Sequence, residues 1–125
     1  MNPDRLTPSD LSANQWRWFR TTIANGCGGK GGWIRPPQFM FRADCDKHDF
    51  GYWVGGDDED RLDTDARFFG AMVTDAARLK VWRRPFHLMM AYIYFRAVRF
   101  FGRRFFRYGT PRTLDDLPYP QERAR

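Results

Sequence analysis

The chain has no apolar run long enough to cross a bilayer. Its most hydrophobic stretch, Leu88 to Phe95, stops at Arg96 and Arg99, far short of the ~20 residues that a spanning helix needs. No transmembrane segment is expected. The opening Met1-Asn2-Pro3-Asp4-Arg5-Leu6 has neither an apolar core nor a small-residue cleavage pattern, so it does not read as a secretory signal. Cysteine is scarce: two in 125 residues allow a single disulfide staple. There is no internal repeat and no long low-complexity segment, which sets aside repeat architectures and a largely disordered chain. No recognisable nucleic-acid motif is present either.

Aromatic residues and positive charge are abundant. With 12 Phe, 5 Tyr and 5 Trp and a hydrophobic share of 42%, the chain has enough apolar surface for one core, and its length fits one domain. Domains of this size bury a modest part of their surface and often rely on a staple or a ligand. The 21 Lys plus Arg exceed the 15 Asp plus Glu, for a net charge of +6, which points to an anionic partner such as phospholipid headgroups or nucleic acid. Arg83, Arg84, Arg96, Arg99, Arg103, Arg104 and Arg107 gather near the C-terminal end, while Asp57, Asp58, Glu59 and Asp60 form an acidic knot. The plainest reading of both groups is solvated surface.

Periodicity and punctuation predict four helices. Thr7-Pro8-Ser9-Asp10 reads as a helix start, the helix running through Trp16 and Phe19 to about Ala24. Residues 25–40 contain five glycines and two prolines, a loop whose backbone can approach a ligand closely. Phe41, Cys45, His48 and Tyr52 then recur at spacings of four, three and four, which lines them up along one helix face. Gly55-Gly56 ends that helix, and the acidic knot suits the start of a third, about 59–80. There Leu62, Asp65, Phe69, Met72 and Ala76 share a line, and Asp63 sits roughly 100° away from it. A carboxylate on an apolar line requires a buried partner. His48 can supply it. After the break at Trp82-Arg83-Arg84-Pro85, a fourth helix is expected at about 86–104. The reading is a small all-α domain over 1–106 built around two central helices, followed by a basic, Pro-containing tail over 107–125.

The segment Cys45-Asp46-Lys47-His48-Asp49-Phe50-Gly51-Tyr52 sets a possible general base beside a possible metal ligand. It resembles the C-x-x-H-D-x-x-Y segment of secreted phospholipases A2, and the fuller C-x-x-H-D-F-G-Y string is most like the small bacterial members of that family. Asn25-Gly26-Cys27-Gly28, Asp65-x-x-Phe68-Phe69 and the closing Ala91 to Val98 extend the resemblance over roughly residues 20–102.

The resemblance implies a phospholipase A2-like helical domain with two central antiparallel catalytic helices and a Gly-rich metal-binding loop. It implies a calcium-dependent hydrolase that cleaves the sn-2 ester of phospholipids at a membrane interface, in a secreted or extracytoplasmic setting. Carried over residue by residue, His48 is the base that activates water, Asp65 orients it and Tyr52 supports it by hydrogen bonding. Calcium would be held by Asp49, by Asn25 and by carbonyls such as those of Gly26 and Gly28. The bacterial family has Asp where this chain has Asn25, so weaker calcium affinity is expected. Cys27 and Cys45 match cysteines that tie the loop to the catalytic helix, a bridge worth on the order of 3 kcal/mol in the chain-entropy model. The second cysteine pair of other bacterial relatives is absent. The alternative implied by Asn25 and the arginine-rich end is a catalytically silent relative that binds or disrupts anionic membranes. A nucleic-acid partner is not expected, because no motif accompanies the charge.

Overall fold

The computed structural model describes residues 4–24 and 38–119, with backbone only at 38–40. Among these residues the fold is all-α and contains no strand. There are four helices, α1 (Ala13–Thr22), α2 (Gln38–Val54), α3 (Asp58–Ala77) and α4 (Arg84–Phe101), with short 3-10 turns before α1, between α3 and α4, and after α4.

The first helix starts later than its sequence suggests. Thr7 and Asp10 cap only a 3-10 turn at Pro8–Asp10. Leu11 and Ser12 are extended, and Ser12 opens α1 through a second capping box with Gln15. Two capping boxes in succession each satisfy their own orphan backbone donors, so two elements replace the single one expected from Thr7 to Ala24. In α1, Phe19 is fully buried and stacks on Trp16 at 5.7 Å. Its ring meets Phe50 of α2 edge-on at 5.1 Å, and Leu117 closes the same cluster.

Helix α2 carries the predicted line, with Phe41, Cys45, His48 and Tyr52 all buried. Phe41 has non-helical dihedrals (φ −135°, ψ 35°), so the first turn is kinked away from the rest. Gly55 (φ 82°) and Gly56 (φ 140°) then turn the chain in a conformation open to glycine and costly to other residues. Asp57 caps α3 through a box with Asp60.

Contacts along α2 and α3 run in opposite directions. Tyr52 meets Arg61, His48 meets Asp65 and Phe68, and Asp44 meets Asp75, so the two helices are antiparallel. Helix α4 returns along α3, with Phe95 against Phe69 and the carbonyls of Val98 and Arg99 against Arg61. Coverage from two sides corrects the predicted line of α3. The buried residues are Asp60, Arg61, Thr64, Asp65, Phe68, Met72 and Ala76, while Leu62 is exposed and Phe69 half-buried.

Helix α4 begins at Arg84, with Pro85 in its first turn, and gives way at Gly102 to a 3-10 turn. A Cβ at Gly102 would collide with the Tyr52 hydroxyl, so glycine permits that close approach. Beyond Arg107 the chain lacks helical periodicity but is packed onto the domain as far as Tyr119. The Arg112 amide donates to the Val54 carbonyl at 2.8 Å, its guanidinium lies 4.7 Å from the Trp53 ring centre, and Leu117 is buried.

Candidate active site

His48 and Asp65 meet where α2 and α3 pack together. His48 Nε2 lies 2.7 Å from Asp65 Oδ1, and the Tyr52 hydroxyl donates to that same oxygen at 2.6 Å. Arg99 Nη1 donates to Asp65 Oδ2 at 2.7 Å, and Arg61 Nη1 forms an ion pair with it at 3.5 Å. Arg61 is itself held by the Tyr52 hydroxyl and by the carbonyls of Val98 and Arg99. The carboxylate is fully buried and surrounded by donors. Burial alone would raise its pKa, but the His48, Tyr52 and Arg99 interactions hold it below the ordinary carboxylate value. Burial, followed by the Asp65 charge, pushes the Tyr52 phenol well above its ordinary value. Tyr52 therefore stays a donor.

An ionised Asp65 can only accept hydrogen bonds, so this network assigns the His48 proton to Nε2 and leaves Nδ1 with its lone pair. Phe68 and Tyr52 flank the ring, with centroids at 4.5 and 4.3 Å. His48 lines a cavity of about 340 Å³ whose walls combine the apolar Leu6, Pro8, Phe50, Phe68 and Ala71 with the charged Arg5, Asp44, Lys47, Asp63 and Arg67. A base held by a carboxylate and opening onto a cavity with apolar and charged walls can take a proton from water beside an amphipathic ligand.

The sequence-predicted residues are thus partly brought together. His48, Asp65 and Tyr52 form one network. Asp63, the other carboxylate on α3 with a possible claim to His48, pairs with Arg67 at 2.9 Å instead. Asp49 is half-buried on α2 next to His48. Asn25, Gly26, Gly28 and Cys27 lie outside the described residues. Cys45 is buried and is not a free thiol. Among the described residues no group of three or more His, Cys, Asp or Glu is arranged to hold a metal ion.

Three arginines escaped the sequence reading. Arg99 belongs to the Asp65 network rather than the solvated surface. Arg61 is buried; its position four residues before Asp65 was an available signal for an ion pair. Arg5 reaches across the N-terminal segment to the carbonyls of Gly55 (2.9 Å) and Gly51 (2.7 Å) and to the Thr64 hydroxyl (3.1 Å), and also borders the cavity. Nothing in its local sequence announces that role.

Comparison of this chain with family models, with curated proteins and with solved structures finds no match in any of the three.

Proposed function

We propose that the protein is a phospholipase A2-type hydrolase that cleaves the sn-2 ester of glycerophospholipids. The observation that carries this reading is the buried His48–Asp65 pair, with Tyr52 on the same oxygen, opening onto a cavity whose wall combines apolar side chains with charged ones. In the proposed reaction His48 Nδ1 takes a proton from water and the hydroxide formed adds to the ester carbonyl. Collapse of that adduct breaks the bond to the glycerol oxygen, which leaves with the proton from the imidazolium. The products are a fatty acid and a lysophospholipid. Asp65 holds the ring orientation and stabilises the imidazolium as it forms. Arg61, Arg99 and Tyr52 keep Asp65 ionised and in place.

The calcium site is proposed beside the base, with Asp49 as its ligand from α2. Asp49 is only half-buried and directly follows His48, and one turn earlier Asp46 is buried with Oδ2 lacking a hydrogen-bond partner. In this reading Asp49, Asn25 and the carbonyls of Gly26 and Gly28 hold the ion, and a Cys27–Cys45 bridge anchors their loop. Bound calcium would polarise the ester carbonyl and stabilise charge on its oxygen.

The test is fatty-acid release from phospholipid vesicles with and without a chelator. Release should require calcium and should collapse by at least a hundredfold in His48→Gln and Asp49→Lys. Release that ignores the chelator and both substitutions would refute the reading. The neutral Asn25 favours a second one, a phospholipase-like protein without turnover. In that case no preparation would release fatty acid at any calcium level.

A further inference from the structure

Helix α4 has an outer face that neither α3 nor the C-terminal segment covers. Met89, Tyr92, Ile93, Arg96 and Phe100 follow spacings of three, one, three and four, which places them on one stripe. Their hydrophobic members are 47–76% exposed. Phe86, Trp82 and Val81 continue the apolar surface around the start of the helix and are also exposed. None of these residues borders the His48 cavity. An apolar stripe of this extent on a small domain marks an interaction surface.

The charge around the stripe identifies its partner. From Ala76 to Leu114 there are ten Lys or Arg and no Asp or Glu. The rest of the chain, with eleven basic residues against fifteen acidic, is net negative by four. Some of the ten cations are engaged within the fold: Arg99 on Asp65, Arg84 on the Leu79 carbonyl, and Arg107 and Arg112 on backbone carbonyls. Lys80, Arg83, Arg96, Arg103 and Arg104 are exposed on α4 or in the turns at its two ends. Arg83 and Arg96 sit beside the Trp82 and Tyr92 rings at 5.7 and 5.8 Å, an aromatic–cation pairing suited to a headgroup boundary.

The geometry points to the outer face of α4 as a docking surface for an anionic lipid bilayer, with the helix lying in the interface plane. No helix among the described residues is long and apolar enough to cross a membrane, so an in-plane position is the one available to it. A second copy of the chain is a poorer occupant. Twofold packing of this face would set one basic segment against another, with no Asp or Glu between Ala76 and Leu114 to pair the arginines. Anionic headgroups neutralise the arginines while the acyl boundary takes up Met89, Ile93 and Phe100. This inference deepens the membrane-facing part of the proposed function, but it stands whether or not His48 turns over a substrate.

The experiment is co-sedimentation with phosphatidylglycerol–phosphatidylcholine vesicles and with phosphatidylcholine vesicles, in chelator and at two salt concentrations. With calcium removed, binding is read apart from hydrolysis, so failure of the hydrolase reading leaves the result interpretable. Anionic vesicles should bind at least tenfold more tightly than neutral ones, and more weakly at high salt. Ile93→Glu with Phe100→Glu should reduce binding at least tenfold without changing the far-ultraviolet circular dichroism. If that pair does not fold, Arg96→Gln with Arg103→Gln should still weaken binding and flatten its salt dependence. Equal binding to both vesicle types would overturn the inference, as would no binding. So would a dimer in sedimentation that the Ile93 and Phe100 changes dissolve, or duplex DNA binding that ignores those changes while vesicles go unbound.

Discussion

Asp65 and Asp44 are both buried carboxylates at the junction of α2 and α3, yet their surroundings drive them in opposite directions. Asp65 faces an imidazole, a phenol and two guanidiniums, and is held ionised. Asp44 faces the carboxyl of Asp75, and its Oδ2 has no hydrogen-bond partner. Burial first, then the hydrogen bond and the negative charge of Asp75, push it up to about 7 against a weaker downward pull from Lys47 and Arg78. Similar burial thus gives opposite protonation preferences, because the partners decide whether desolvation is answered.

The largest expected effect comes from removing the answered charge. Asp65→Asn keeps the shape but leaves Arg61, buried on all sides, and Arg99 without their counter-charge. A loss of about 3–5 kcal/mol is expected, together with loss of any His48-dependent hydrolysis. Urea unfolding at neutral pH measures the first. The sign of the pH dependence follows from the depressed pKa. Wild-type Asp65 contributes stability above the ordinary carboxylate value and loses it as pH falls through its folded-state value. Asp65→Asn should lack that acid-side loss.

A smaller effect isolates one donor. Arg99 is about 30% exposed, so Arg99→Met should cost about 1–2 kcal/mol, as expected for one charge-assisted hydrogen bond weakened by solvent screening. With less support on Oδ2, Asp65 should ionise less readily, and acid unfolding should move to higher pH. An unchanged acid midpoint would show that Arg61 alone sustains the carboxylate.

How much of this was legible in the sequence differs between the two carboxylates. His48 and Asp65 could be selected because each stands on a helical line and their pairing satisfies a local need: an acid on an apolar face requires a partner. Tyr52 shares the line of His48, but its support of the pair was implied only by the resemblance. The all-α class and the turn at Gly55-Gly56 followed from the same punctuation. Arg99 could not be selected, since its partner lies 34 positions away and an arginine among arginines looks like surface. Asp44 was equally hidden. Its position is set by which face of α2 meets α3 near Asp75, and one helix's periodicity does not reveal what the opposing helix presents. The split capping of the first helix was obscured because Thr7–Asp10 and Ser12–Gln15 are both valid starts, and only the extended backbone at Leu11 separates them.

The remaining effect concerns the unanswered carboxyl and has the opposite sign. Because the folded-state pKa of Asp44 is raised from 3.8 to about 7, its contribution favours folding fully below the ordinary carboxylate range and is lost as pH rises toward 7. Between these limits the unfolded chain ionises Asp44 while the folded protein keeps it protonated, so the group becomes a liability. Asp44→Asn removes the titration and retains an amide that can still donate to Asp75. The variant should match the wild type near pH 4 and exceed it at pH 8, with most of the gain between pH 5 and 7. Asp75→Asn should give the same trend by removing the charge that Asp44 faces. Thermal unfolding of the three proteins across that range tests the comparison directly. A constant offset between variant and wild type from pH 4 to pH 8 would mean that Asp44 does not titrate there, and that Lys47 and Arg78 neutralise it as the donors around Asp65 neutralise that carboxylate.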